Sequence, residues 1–304
     1  MSVWQVKAAK DSIKAALPFQ RHLRRAKRLV SPHQTNPDNN FHLLFDCLSQ
    51  VATLERLAIE IGGKTIVEVG TGWIPLLPII YRLYGADRII TVDQERLMDS
   101  VQIQDAVKFV HENIGNLVDQ LHVRPPRDFE CIPAPDLSPS DFLTRASIDY
   151  KAPFDFLGLP ADTADVIVSR DVLEHIPEAT LVKIANHSYE VLRPGGVICH
   201  TIDMSDHWEH GDKSISKVNF LQYDGVWWKL AGKNPQNHQN RLRRYEYLEI
   251  FRQAGFEIIE ADGLPDPASS KNLTHMRLCD RYRSTPLEEL AILSTTIVAQ
   301  RPVT

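Results

Sequence analysis

The chain has 304 residues, of which 43% are hydrophobic and 24% charged, with a formal net charge of -5. This composition is ordinary for a soluble globular protein, provides a real core for one elaborated α/β domain or two small ones, and argues against bulk attraction to nucleic acid. Cys47, Cys131, Cys199 and Cys279 lack C-x-x-C spacing, which argues against a disulfide framework or a thiolate zinc site.

The first thirty residues carry Lys7, Lys10, Lys14, Arg21, Arg24, Arg25, Lys27 and Arg28 against one acid, Asp11, with apolar residues between them. This is expected to be a helix packed on the main domain with a solvated basic face. The alternative is peripheral contact with an anionic membrane or a lipid-linked substrate. Ser31 to Asn40 is expected to be a loop, and Phe41 to Ile61 a helix stopped at Gly62-Gly63. Thr65 to Val69 is an apolar, β-branched run, the pattern of a buried parallel strand. Gly70 and Gly72 follow at once, where the chain must turn sharply and let a ligand approach its backbone. Pro75 and Pro78 then open an apolar helix, as proline can in a first turn. A second strand, Arg88 to Val92, ends in Asp93, placed to bind a ribose about twenty residues past the glycines.

A helical stripe runs from Leu97 to Leu121, followed by a proline-rich stretch, 124–140, and a third strand over Ala146 to Tyr150. Ala164 to Ser169 is the fourth strand, Ala179 to Leu192 a helix, and Val197 to Ile202 the fifth strand after an Arg-Pro-Gly-Gly turn. Arg244 to Gly255 is a helix, Phe256 to Ala261 the sixth strand and Ala291 to Gln300 the seventh. The longest nearly unbroken apolar run, Trp73 to Tyr81, contains two prolines and is far shorter than the roughly 20 residues of a membrane span. No secretory signal with an apolar core is recognised, so an intracellular, cytoplasmic protein is expected, with the basic N-terminus as its one route to a membrane surface.

Glu68-x-Gly70-x-Gly72 followed by Asp93, then SRDVLEHIP at 169–177 and LRPGGVICHTID at 192–203, closely resemble the class I S-adenosylmethionine-dependent methyltransferases. A nicotinamide dehydrogenase is disfavoured because its third fingerprint glycine falls on Pro75. The resemblance implies a doubly wound, seven-stranded, mostly parallel Rossmann-like sheet, with the seventh strand antiparallel between the fifth and sixth. It implies a basic N-terminal extension over 1–40 and a methyltransferase domain over 41–304, with insertions at about 97–145, 204–240 and 262–289. It further implies S-adenosylmethionine as cofactor. Gly70, Gly72 and Trp73 would admit its methionine end, Glu68 orient it, and Asp93 with Gln94 take the ribose. Asp149 and Tyr150 would lie near the adenine, while Ser169 and Arg170 line the pocket floor. Asp149 reads equally well as a loop cap.

Connections as long as 204–240 and 262–289 are more often functional lids than spacers. The first is rich in large side chains, among them Trp208, Tyr223, Trp227 and Trp228, with Arg241 beyond it. Trp208, Tyr223, Trp227 and Arg241 are candidate acceptor-binding residues, and a miniature core under the lid uses the same composition. Asp171, Glu174 and His175 are expected on one face of a helix start. In ubiquinone-pathway and small-RNA methyltransferases a similar cluster, with one further ligand, holds Mg²⁺ or Mn²⁺. Here His238 or His207 would complete it. A structural role for the three residues is the competing expectation. His207 is the first candidate general base and His175 the second. The expected reaction is O-methylation of a small molecule, sugar or lipid-linked glycan. The alternatives are N-methylation, small-RNA 2′-O-methylation, or a cofactor-binding protein without catalysis.

Overall fold

A computed structural model describes residues 37–98, 100–126, 131–133, 137–225, 228 and 238–303. The basic stretch 7–28 and Trp227 lie outside the described residues.

Seven strands form one sheet in the order β3-β2-β1-β4-β5-β7-β6. They are β1 Thr65–Val69, β2 Arg88–Val92, β3 Ile148–Lys151, β4 Ala164–Arg170, β5 Leu192–Asp203, β6 Glu257–Ala261 and β7 Ser294–Gln300. The first five are parallel, and β7 pairs antiparallel with β5 on one side and β6 on the other. The central strands are mostly apolar because both sheet faces are covered. Successive side chains point to opposite faces, so Ile66, Val166, Val168, Val197 and Cys199 enter one core while Val67, Ile167 and Ile198 enter the other.

The first face is covered by α1 Pro37–Arg56, α2 Leu76–Leu83 and α3 Ser100–Leu121, whose Leu44, Leu48, Ile79, Ile80, Val107 and Val110 fill its core. A short α4, Pro139–Arg145, leads into β3. The second face is covered by α5 Glu178–Val191 and α6 Arg244–Gln253, through Leu181, Ala185, Tyr247 and Phe251. Short helices α7 Pro267–Leu273 and α8 Leu287–Leu290 lie between β6 and β7. No helix among the described residues is long and apolar enough to cross a membrane.

Several element boundaries differ from expectation for local reasons. The helix expected over 41–61 begins at Pro37, inside the expected loop, and ends at Arg56, just ahead of a left-handed Ala58. Gly63, at φ +72°, therefore serves the turn into β1 rather than a helix cap. The third strand begins only at Ile148, because Ala146 caps α4 and Ser147 is left-handed. Asp171 through His175 do not share an α-helical face. Asp171 has φ +51°, and only Leu173–His175 wind, as one 3₁₀ turn before α5.

The segments 204–225 and 262–293 pack against each other over the carboxyl edge of the sheet. Trp208, Val218, Phe220 and Leu221 from the first, with Trp228 beyond it, share a third core with Leu273, Tyr282, Leu290 and Ala291 from the second. Two buried arginines tie the unit down. Arg243 is fully buried and donates to the carbonyls of Met204 (2.6 Å), Leu290 (3.1 Å) and Ile292. Arg241 donates to the carbonyls of Phe220 (2.9 Å) and Tyr223 (2.6 Å), and its guanidinium lies 4.8 Å from the Trp228 ring centroid. This corrects the expectation for Trp208, Tyr223 and Arg241. They build or border the lid's own core, because a long insertion must bury apolar surface to be ordered at all.

Candidate active site

At the carboxyl edge, between the lid and the sheet, lies a cavity of about 880 Å³. Its floor is the turn after β1, and its walls come from the start of α1, the end of β4, the end of β5 and the lid. Gly70 (φ +81°) and Gly72 (φ +66°) both line it in backbone conformations that L side chains rarely adopt. They differ in what a side chain would meet. A Cβ on Gly70 would come within 2.6 Å of Val172, whereas one on Gly72 would meet nothing within 4 Å. Gly72 therefore leaves its backbone open to a ligand, and Gly70 lets the segment after β4 close up behind it. Trp73 also lines the cavity.

Glu68 lines the cavity at 4% exposure and accepts a hydrogen bond from the Thr91 hydroxyl. Burial raises its pKa to about 8, only partly offset by that hydrogen bond. Asp93 leaves the end of β2 beside the glycine turn. Its carboxylate accepts from the N–H groups of Gly72 and Glu95, each at 3.0 Å. These bonds brace the turn and fix the carboxylate next to it. Gln94 is exposed and is not part of the wall.

The residues expected at the adenine end and the floor divide. Asp149 sits inside β3 rather than at its end, and pairs with Arg88 (3.1 Å) and Lys151 (3.4 Å) at the surface, away from the cavity wall. The Tyr150 hydroxyl accepts from the Leu97 N–H at 3.1 Å, so it ties β3 to the segment after β2. Arg170 does line the cavity, bridging Asp46 of α1 (2.8 Å) and Asp171 (2.5 Å). Ser169 is buried behind it, with its hydroxyl 2.8 Å from His200 Nδ1.

The opposite end of the cavity is rich in carboxylates and imidazoles. Asp46, Asp171 and Asp203 reach the wall, together with His42, His210 and Lys217. Burial raises Asp171 to about 6 against the lowering effect of Arg170. Burial would raise Asp203 too, but its hydrogen bonds from His207 and from the Ser205 N–H outweigh it and hold the carboxyl at about 2. His207 Nε2 stands 3.2 Å from Asp203 Oδ2, and its ring packs between His175 (centroids 5.0 Å apart) and His210 (5.2 Å). Of these three histidines only His210 is on the cavity wall; His207 and His175 stand behind it. Glu174 is 1% exposed, and neither of its carboxylate oxygens has a hydrogen-bond partner.

Sequence reasoning missed Asn40, Asp46 and Asp203. Asn40 is 4% exposed, lines the cavity and keeps an unpartnered Oδ1. It fell in a stretch whose Asn and Pro content signals a loop, although the helix starts there. Asp203, at the end of the LRPGGVICHTID segment, was the one legible from position alone.

Residues 39–261 match the sequence profile of a family described as a methyltransferase domain. Among solved structures the chain is similar to an S-adenosylmethionine-dependent methyltransferase from Mesorhizobium loti, at 14% identity and a TM-score of 0.44 over 82% of this chain and 96% of that one. It is also similar to a presumed methyltransferase from Bacillus halodurans, at 14% identity and a TM-score of 0.45 over 84% and 99%. A third is a presumed sarcosine dimethylglycine methyltransferase from Galdieria sulphuraria, at 15% identity and a TM-score of 0.46 over 84% of each chain. No curated protein matches the chain in sequence.

Proposed function

From the premise that the chain belongs to the methyltransferase-domain family and is an S-adenosylmethionine-dependent methyltransferase, we propose that it methylates an oxygen of a small, polar, hydroxyl-rich molecule such as a sugar. One observation carries this: a single cavity joins the Glu68–Gly72 floor to a wall of Asp171, Asp203 and His210. At about 880 Å³ it is near the top of the range for small-molecule sites, about 300–1,000 Å³, so donor and acceptor fit together.

In this reading Gly72, Glu68 and Asn40 would hold the methionine end of the cofactor, and Asp93, beside the turn, would take its ribose. The cofactor supplies an electrophilic methyl carbon. The chain's part is to hold the acceptor in line with that carbon, exclude water beneath the lid, and take the hydroxyl proton. His210 is the imidazole that the lid brings to the wall, and burial lowers its pKa, which favours the neutral form that can accept a proton. His207 and His175, expected as bases from the sequence, back it instead.

A second reading, transfer to an amine nitrogen, is favoured by the three carboxylates on that wall, which suit a cationic acceptor. A small acceptor rather than RNA agrees with the net charge of -5, and four free cysteines agree with a reducing, cytoplasmic compartment. The test is incubation with methyl-labelled S-adenosylmethionine and fractionated extract, followed by mass analysis of the labelled product. Label on a hydroxyl of a small molecule supports the proposal. Label on an amine moves it to the second reading. Cofactor binding without turnover in any fraction overturns both.

A further inference from the structure

Behind His210 the structure gathers a group of side chains with no assigned task. Glu174, His175 and His207 each offer a ligand atom, and these atoms all lie within 4.8 Å of one another. Two ligands on one ion, each about 2.1 Å from it, stand about 3–4 Å apart. Small side-chain rotations close the difference, and both imidazoles have room to make them: the His175 side chain is 40% exposed and that of His207 25%.

Two further features point to a bound cation rather than to a structural cluster. First, Glu174 is 1% exposed and both its oxygens lack hydrogen-bond partners, an arrangement that is costly unless something else satisfies them. His175 Nε2 stands 3.9 Å from Oε1, which is too far for a hydrogen bond. Second, one nitrogen of each imidazole is already engaged by an acceptor. His175 Nδ1 is 2.9 Å from the carbonyl oxygen of His238, and His207 Nε2 is 3.2 Å from Asp203. Such bonds put the ring proton on the engaged nitrogen and leave a lone pair on the other, as in metal-binding histidines. Asp171 is diverted to Arg170 at 2.5 Å and is not in the cluster.

We propose that Glu174, His175 and His207 form a two-histidine, one-carboxylate site for a divalent transition-metal cation, with Asp203 and the His238 carbonyl orienting the two rings. This ligand set departs from the one expected from the sequence. Asp171 leaves, His207 rather than His238 supplies the further ligand, and two imidazoles favour zinc, cobalt or manganese over magnesium. The cation would stand beside His210, at the acceptor end of the cavity.

The test is titration of chelator-treated full-length protein with Co²⁺, read by visible absorption and by calorimetry, with no acceptor present. Wild type is expected to bind one equivalent saturably, displaced by Zn²⁺. Glu174→Gln and His207→Ala should each weaken binding at least tenfold, Asp203→Asn about tenfold, and Asp171→Asn less than threefold. Affinity for S-adenosylhomocysteine, measured on the same samples, should stay within threefold and so vouch for the fold of each variant. No saturable binding by wild type overturns the site. Unchanged binding in both Glu174→Gln and His207→Ala also overturns it, and an Asp171→Asn loss as large as theirs overturns the ligand set. None of these outcomes depends on which acceptor is methylated, so failure here and failure of the acceptor assignment are separate results.

Discussion

At the scale of single residues, Glu68 makes the sharpest prediction. Burial raises its pKa from 4.5 to about 8, so the folded protein retains a proton that the unfolded chain loses above about pH 4.5. The native state binds more protons across that interval, and stability therefore falls as pH climbs from about 4.5 to about 8, then levels off. Glu68→Gln should remove this slope and make the unliganded protein more stable than wild type at pH 8, as read from urea midpoints. The same residue should make binding of S-adenosylmethionine strengthen with pH up to about 8, since only the carboxylate attracts the donor's ammonium group. Glu68→Gln should bind with a flat pH profile. Asp93→Ala should weaken S-adenosylhomocysteine binding by about 2 kcal/mol, roughly thirtyfold, through loss of charged hydrogen bonds. Part of that loss is indirect, because the carboxylate also braces the Gly72 N–H. Calorimetry on a variant with unchanged circular dichroism checks it, and wild-type affinity would remove Asp93 from the ribose. The placing of Glu68, Gly70, Gly72 and Asp93 on one strand, its turn and the end of the next strand was legible in the sequence because these spacings are set by the chain itself. Asp149 was expected at the strand's carboxyl end, but β3 runs on to Lys151 and the carboxylate pairs with Arg88 and Lys151.

At the scale of elements, the central strands could be read from apolar, β-branched runs, because a sheet covered on both faces leaves little polar surface to blur the signal, while β3 and β6 at its edges carry Asp149, Lys151, Glu257 and Glu260 and a weaker one. The ends of helices could not. Ala58 and Asp171 adopt positive φ with no glycine to announce it, and the helical face expected for Asp171, Glu174 and His175 dissolves for that reason. Nor does composition separate a lid that binds an acceptor from a lid that packs on itself; both need Trp and Tyr. Arg243 is the clearest instance. Its run, Arg241 to Arg244, reads as a solvated helix start or an anion site, yet the side chain is fully buried on three carbonyl oxygens. Arg243→Met should destabilise the protein by about 3 kcal/mol, since each carbonyl left dry is unfavourable by about 1–3 kcal/mol and relaxation recovers some of it. The check is a lowered urea midpoint at an unchanged denaturant slope.

At the scale of the whole molecule, two insertions far apart in sequence behave as one body. Segments 204–225 and 262–293 share the Trp208–Phe220–Tyr282–Leu290 core and cross-link through the Cys279 N–H to the Leu221 carbonyl (3.0 Å), while the Tyr282 hydroxyl donates to the carbonyl of Arg241 (2.9 Å), which itself binds Phe220 and Tyr223. The sheet beneath keeps its own two cores, to which these lid residues do not belong. Trp208 is 8% exposed and central to the lid, so Trp208→Ala should remove about 3–5 kcal/mol from the lid's local stability. Hydrogen exchange should then speed up in both segments together while β1 and β4 keep their protection, as expected of a cooperative unit that opens apart from the rest. The lid supplies His210 and Lys217 to the acceptor end of the cavity, whereas the glycine turn belongs to the sheet. The variant should therefore raise KM for the acceptor and leave S-adenosylhomocysteine affinity within a factor of two. Faster exchange confined to 204–225 would show that the insertions fold separately, and equal losses of donor and acceptor binding would show that lid and sheet open as one.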